Sequence, residues 1–277
     1  MTRVFIDFKL KRIQDLRAIQ AIDEAGFTIV VTNKQRFKLA FLKEKFNMNF
    51  EVAKDSSGIK LSEILFINHE KPETGIAGLT KNLIFPIQIV THCKALWKTE
   101  RIHAFTFAGL ITKSRNELIS NWIKSNITKE KFDLPITNSF VNKWRNKVYN
   151  FFNLDSSVSK SINNLIIWSS NKGRKFPIKA WDEAYFEVLS NSEFVLCPSG
   201  VCVWSYRFFE SILCGAIPII ESHCSAYDGF RFKYMTDDAK SFIWSKEDAE
   251  HNYILCLERI TIDPELLKAA LVQFFQK

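Results

Sequence analysis

The sequence predicts an α/β protein in which strand–helix units recur through both halves of its 277 residues. Three observations predict it. Short β-branched or apolar runs alternate with segments of helical spacing from Val4 onward. The same alternation returns between Phe194 and Ile220. The composition, 47% hydrophobic and 25% charged, is close to that of soluble globular chains able to bury a core, and it does not suggest disorder. Alternating units of this kind favour doubly wound domains with parallel sheets.

Taken in order, Val4-Phe5-Ile6-Asp7-Phe8 reads as a first strand. Residues 13–25 follow as a helix, with Ile13, Leu16, Ile19 or Ala18, and Ile22 on its apolar stripe. Gly26 stands where a glycine usually ends a helix. Phe27–Val31 is a second strand, and a helix bearing Phe37, Phe41, Leu42 and Phe46 comes after it. Residues 50–53 and 64–67 read as further strands, the latter ending at Asn68-His69-Glu70. Pro72, Gly75 and Gly78 make 71–82 a loop. Residues 83–98 are apolar and fit strand or helix equally.

His103–Ala108 is a strand ending at Gly109, and 114–125 a helix with Leu118, Ile119 and Trp122. Residues 126–162 are irregular. Ile166–Trp168 is a short apolar run, and Trp181–Leu189 reads as a helix leading into strand Phe194–Cys197. A helix over 205–214, a strand at Ile217–Ile220 and a last helix over Pro264–Phe275 complete the reading. We place the domain boundary near residue 99, giving domains 1–98 and 99–277.

The formal charge is +8, which favours acidic partners such as nucleotides or an anionic membrane surface, or is a lysine-rich solvated surface. The lysines form no basic block of the nucleic-acid-tail kind. The six cysteines, Cys93, Cys197, Cys202, Cys214, Cys224 and Cys256, include no CxxC pair and no zinc spacing. They read as small buried thiols suited to a reducing cytosol, and no metal is expected. No signal peptide opens the sequence, and no apolar run reaches the roughly 18 residues that span a bilayer. The expected location is cytoplasmic, with any membrane contact peripheral.

The segment Phe194–Ile220, FVLCPSGVCVWSYRFFESILCGAIPII, concentrates the chemistry. A strand enters the Pro198-Ser199-Gly200 loop and a helix leaves it. Ligands of open α/β sheets collect at such strand ends, where helix N-termini attract anions. On a helical wheel Phe208, Phe209, Ile212 and Leu213 fall on one side. Tyr206, Arg207, Glu210, Ser211 and Cys214 fall on the other, as a displayed polar face. Arg suits a diphosphate and Glu a ribose. An i,i+3 surface ion pair between Arg207 and Glu210 accounts for the spacing equally well.

This stretch resembles the C-terminal motif of exostosin-type glycosyltransferases, a P-[SR]-G turn followed by S-x-R-x-x-E-A-x-x-x-G-x-x-P-V. The matching residues are Pro198-Ser199-Gly200, then Ser205, Arg207, Glu210, Gly215 and Pro218, with Ser211 in place of the Ala. The helix Tyr185–Ser190 leading to Phe194 matches as well, as does Phe107-Ala108-Gly109 followed by Arg115 and Leu118. The α1,3-fucosyltransferases share a related pattern but carry Lys after the Glu, which this chain lacks. The resemblance covers about residues 104–221 and implies a GT-B fold, two Rossmann-like domains facing a central cleft. It implies that Glu210 contacts the ribose and that Arg115 and Arg207 contact the diphosphate. Gly109, Ser199 and Gly200 then let backbone approach the nucleotide, with Tyr206 beside them. It implies no metal and no cofactor, the nucleotide-sugar being the donor substrate.

Glycosyl transfer with inversion needs a base at the acceptor hydroxyl. Asp7, His69 and Glu70 stand at strand ends of the N-terminal half and are the candidates, each weighed against an ordinary loop residue. A retaining transfer needs none. His92 and His103 adjoin apolar segments and read as core or donor contacts. Lys172 and Arg174 read as a solvated turn, with a diphosphate contact as the alternative. Asn126-Ile127-Thr128 fits a glycosylation acceptor, a motif common by chance.

The function expected is transfer of a sugar, from a UDP-sugar by preference, to a glycan or lipid-linked glycan acceptor. Surface polysaccharide or glycoconjugate synthesis is its expected setting. Two alternatives stand beside it. One is another sugar-nucleotide enzyme of this fold: an epimerase, a hydrolase, or a transferase using a CMP- or GDP-linked sugar. The other is a basic nucleic-acid-binding protein, for which no motif stands out.

Overall fold

The structure, a computed structural model, describes residues 3–53, 58–130, 132, 134, 158–169, 176, 177, 180–200 and 202–276. Two compact units form: Met1–His92 with Phe176–Trp181 and Leu257–Lys277, and Cys93–Lys175 with Asp182–Cys256. The division 1–98 and 99–277 assigns the last residues to the second domain; in the structure they belong to the first unit. Lys172 and Arg174 lie outside the described residues.

In the first unit, β1 (Arg3–Phe5), β2 (Thr28–Val31), β3 (Phe50–Val52) and β4 (Ile59–Lys60) form a parallel sheet, ordered β3-β2-β1-β4. Helix α1 (Ile13–Glu24) follows β1 and α2 (Asn33–Phe46) follows β2. Gly26, at φ +85°, ends α1 as the sequence predicts. All ten residues from Ile13 to Ile22 are buried, polar ones included, so α1 is covered on every side. Its polar side meets the 84–88 segment: Ile84 N donates to Gln14 Oε1 (3.0 Å), and the Arg17 guanidinium lies 3.6 Å from the Phe85 ring centroid. The ambiguous 83–98 stretch resolves as helix α4 (Ile87–Ala95), whose first N–H groups bond Glu24.

The 64–67 strand is corrected in its setting. It forms as β5 (Leu65–Asn68) but pairs antiparallel with β6 (Glu73–Ile76), which pairs with β7 (Leu79–Lys81) in a separate meander. The intervening helix α3 (Leu61–Ile64) takes the chain away from the parallel sheet. Residues expected as a loop thus supply two strands, joined through Ala77 and Gly78, both at positive φ (50° and 86°). That pair gives the primed turn suited to a tight hairpin. The C-terminal segment completes this unit: Phe275 stacks on Phe27 (5.9 Å), and Phe85 N donates to Ile260 O (2.7 Å).

In the second unit six strands take the order β13-β12-β11-β8-β10-β9. They are β8 (His103–Ala108), β9 (Val158–Ile162), β10 (Leu165–Ser169), β11 (Ser192–Cys197), β12 (Ile217–Ile220) and β13 (Lys233–Tyr234). All neighbours are parallel except β9 and β10. Its helices are α5 (Lys113–Asn126), α6 (Glu183–Ser190), α7 (Tyr206–Leu213) and, as far as Cys256, α8 (Lys246–Ile260); α9 of the first unit is Pro264–Phe275. Helix α8 lies where the sequence reading makes no assignment.

One face of this sheet packs Phe107, Ile167, Phe194, Leu196 and Ile219 against Ile119 and Trp122 of α5. Each such side chain contributes about 1.5–3 kcal/mol by leaving water. On α7, Phe208 stacks on Tyr227 with centroids 3.7 Å apart. Pro218 sits inside β12 without breaking a ladder, because β13 pairs only with Ile219 and Ile220. Gly215, at φ +77°, has Trp97 and Arg101 against the place a Cβ would occupy. Arg101 Nη1 donates to Ser190 O and Ser192 O (2.9 and 2.7 Å), and its Nη2 to Cys214 O (3.1 Å). The Gly and Pro of the motif are therefore structural.

Candidate functional site

The site forms at the carboxyl ends of β8 and β11 in the second unit. Strand β8 ends at Gly109, whose N–H donates to Trp168 O (2.9 Å) and whose φ is +148°. A Cβ there would collide with Nη2 of Arg207. The missing side chain lets that guanidinium lie along the strand end. Its Nε donates to Ala108 O (2.6 Å), and its carbon lies 4.5 Å from the Phe107 ring centroid. Arg207 is 8% exposed, and its Nη1 is buried without a hydrogen-bond acceptor. Burying a charged donor unsatisfied is costly, which sets this guanidinium apart from the satisfied polar groups around it.

Arg115 comes from the first turn of α5, which Thr112 caps. Its Nε donates to Ser199 O (3.2 Å) and its Nη1 to Leu110 O (3.3 Å). A Cβ on Gly200 would stand 3.1 Å from its Nη2, so this glycine too gives room to an arginine. Burial, and then the neighbouring charge of Arg207, lower the Arg115 pKa to about 10. The fold holds the two guanidinium groups together although the charge of Arg207 disfavours that of Arg115. Glu221, just past β12, accepts from Ser199 N (3.0 Å) and sets the Pro198-Ser199-Gly200 loop. Ser205, the N-cap of α7, is held by Tyr227, whose Oη accepts from Ser205 N (2.9 Å).

The displayed polar face of α7 is corrected. Glu210 and Ser211 are fully buried and Arg207 nearly so. Helix α6 and the end of β8 cover that side, and Tyr185 Oη of α6 donates to Glu210 Oε2 (2.7 Å). With both residues buried, the spacing of Arg207 and Glu210 is not that of a surface salt bridge. Tyr206 packs edge-on against Trp204 (5.0 Å). Of the cysteines, Cys93, Cys197, Cys214 and Cys256 are buried, while Cys202 and Cys224 are half-buried. Burial pushes the Cys197 thiol up to about 12, which keeps it inert beside the arginines.

The structure brings Gly109, Arg115, Ser199, Gly200, Arg207 and Glu210 into one unit, with Tyr206 on the same helix. It sets the acid–base candidates apart from one another. Asp7 follows β1 at the carboxyl edge of the parallel sheet; its carboxylate accepts from Ser62 N (3.0 Å) and is bonded to Ser62 Oγ. His69 and Glu70 are exposed on the β5–β6 hairpin turn, not at a parallel strand end. His92 packs edge-on to Trp181 (4.4 Å), a core contact. His103 opens β8 at its amino end, so it is no donor contact, and partial burial lowers its pKa. Sequence reasoning missed Tyr185 and Glu221 as members of the site; only their places before and after the two strands signalled them. An open pocket of about 550 Å³, lined by Trp122, Asn121, Asp237 and Lys240 among others, adjoins Glu221. Among the described residues no group of three His, Cys, Asp or Glu side chains is placed to hold a metal.

The family model of the exostosin GT47 domain matches residues 68–227, more than half of the chain. The chain belongs to the exostosin GT47 family. In this exostosin-family chain the match runs from the β5–β6 meander to Tyr227 and takes in both arginines and Glu210. Among solved structures it is similar to "Crystal structure of GtfA/B complex", at 10% identity and a TM-score of 0.35. That similarity covers 90% of this chain and 45% of the other, so the exostosin-family chain spans less than half of that chain's length. No curated protein matches it. Among the described residues no helix is long and apolar enough to cross a membrane.

Proposed function

We propose that this chain is a glycosyltransferase that moves a sugar from a nucleotide-sugar, with a UDP-sugar favoured, to a glycan acceptor. Synthesis of a surface polysaccharide or glycoconjugate is the setting we favour. One observation carries the reading: Arg115 and Arg207 converge at the carboxyl ends of two parallel strands, with a buried N–H of Arg207 unsatisfied. Family membership supports it.

In the proposed step the acceptor oxygen bonds to the anomeric carbon as the bond from that carbon to the diphosphate oxygen breaks. The diphosphate keeps the electron pair, and Arg115 and Arg207 take up its charge. Because two guanidinium groups do this, we read the transfer as metal-independent. In an inverting transfer the acceptor proton passes to a base. We favour Asp7 over His69 and Glu70, since it alone stands at a parallel strand end. For the ribose, a sugar hydroxyl would replace Tyr185 Oη as donor to Glu210. A cytoplasmic location belongs to the same reading and rests on free cysteines suited to a reducing compartment, while peripheral membrane contact rests on net charge.

Thermal shift with UDP, GDP, CMP and ADP on wild type, Arg115→Gln and Glu210→Ala tests this. A ligand at a hundred times its Kd stabilises by about 2.7 kcal/mol. One nucleotide should do so for wild type and less for both variants. No shift with any of the four at millimolar concentration would sink the proposal.

A further inference from the structure

We infer that the acceptor carries an anionic group, phosphate or carboxylate, held by Lys9, Lys11 and Lys34 at the carboxyl edge of the first unit's parallel sheet. That the ligand is an acceptor rests on the function proposed above; that it is anionic rests on how charge is distributed over the first unit.

The segments 7–12 and 32–38 leave β1 and β2 at the carboxyl edge. Hydrogen bonds fix them side by side. Gln35 Nε2 donates to Ile6 O and Phe8 O (2.9 and 3.0 Å), and Lys38 Nζ donates to Leu10 O (2.6 Å). Together they hold six Lys and Arg against one acid, Asp7, which is engaged with Ser62. The whole first unit has 18 Lys and Arg against 13 Asp and Glu. Outside these two segments the unit is balanced, twelve of each. Its entire positive excess is gathered where open α/β sheets bind ligands, which a merely solvated surface does not require.

Three of the six cations are committed. Arg12 pairs with Asp15 (2.8 Å), Lys38 bonds the backbone, and Arg36 lies over the Phe37 ring (4.9 Å). Lys9, Lys11 and Lys34 are exposed, and among the described residues no carboxylate pairs with them. Lys34 stands in the first turn of α2, which carries no acidic residue. Point-charge ammonium groups on flexible stems suit a phosphate or carboxylate approaching from solvent.

The test titrates wild type and the Lys9→Gln/Lys11→Gln/Lys34→Gln variant, in saturating UDP, with three soluble probes. These are a disaccharide 1-phosphate, a glucuronate-terminated disaccharide and a neutral disaccharide. Phosphatidylcholine vesicles with and without phosphatidylglycerol form a second arm. The anionic disaccharides should bind wild type in a salt-sensitive manner and lose about tenfold in the variant, as three exposed ion pairs imply. Equal binding of neutral and anionic probes, equal binding by the two proteins, no binding of either anion, or binding to anionic vesicles alone overturns the inference. The UDP shift is read separately on both proteins. Its absence sinks the donor reading, while the comparison of the two proteins, repeated without UDP, still decides the anion site.

Discussion

Replacing Gly109 by Ala combines two penalties that a second glycine can separate. The backbone at Gly109 has φ +148°, and the new Cβ would meet the guanidinium of Arg207. Backbone strain of this kind costs of order 1–3 kcal/mol. To make room, Arg207 must give up its 2.6 Å bond to Ala108 O, and a hydrogen bond to a charged group is worth about 1.5–3 kcal/mol. Together the two come to about 2.5–6 kcal/mol. Gly78, at φ +86°, has nothing within 4 Å of the place a Cβ would occupy, so Gly78→Ala reports the backbone term alone. Urea unfolding of both variants, read against wild type, gives the difference. Nucleotide binding should fall at least tenfold in Gly109→Ala and stay unchanged in Gly78→Ala. If Gly109→Ala costs no more than Gly78→Ala and binds nucleotide normally, the close approach of Arg207 to strand β8 is wrong.

Three further outcomes are expected. Gln20 is buried with neither amide atom bonded, so Gln20→Met should stabilise the protein by about 1 kcal/mol in denaturant unfolding. Arg101→Met removes donors from three backbone carbonyls and should cost about 3 kcal/mol or more in the same assay. Burial raises the Asp23 pKa to about 6, so the native state holds a proton that the unfolded chain has released between about pH 4 and 6. Its penalty is absent below the unfolded value, grows as pH rises and is complete above about 6. Asp23→Asn should therefore stabilise at pH 7 and lose that advantage by pH 4, as thermal melts across the range would show.

The motif residues are legible because their spacing is dictated locally. Gly109 and Gly200 make room for arginines, Gly215 for Trp97 and Arg101, and Pro218 sits where no strand asks for its N–H. The strands and helices around them follow from period and caps. What the chain does at long range is not legible. Wheel analysis of α7 separates Phe208 and Phe209 from Arg207 and Glu210, but cannot say that α6 and β8 bury the second face as well. Leu65–Asn68 has the composition of a strand, while its antiparallel partner is set by the turn at Ala77-Gly78, in a stretch whose glycines read as a loop. The partnership of Tyr185 with Glu210 joins residues 25 apart in sequence and leaves no periodic trace.

The return of Leu257–Lys277 to the first unit orders events in time. A chain made from its N-terminus can complete the second unit once Cys256 has emerged. The first unit must wait for its last helix, although its sheet strands are synthesised earliest. Until then the Phe27 ring and the Phe85 N–H lack the partners that this C-terminal segment gives them. Trimming residues 257–277 would accordingly damage the first unit, whose strands are made earliest.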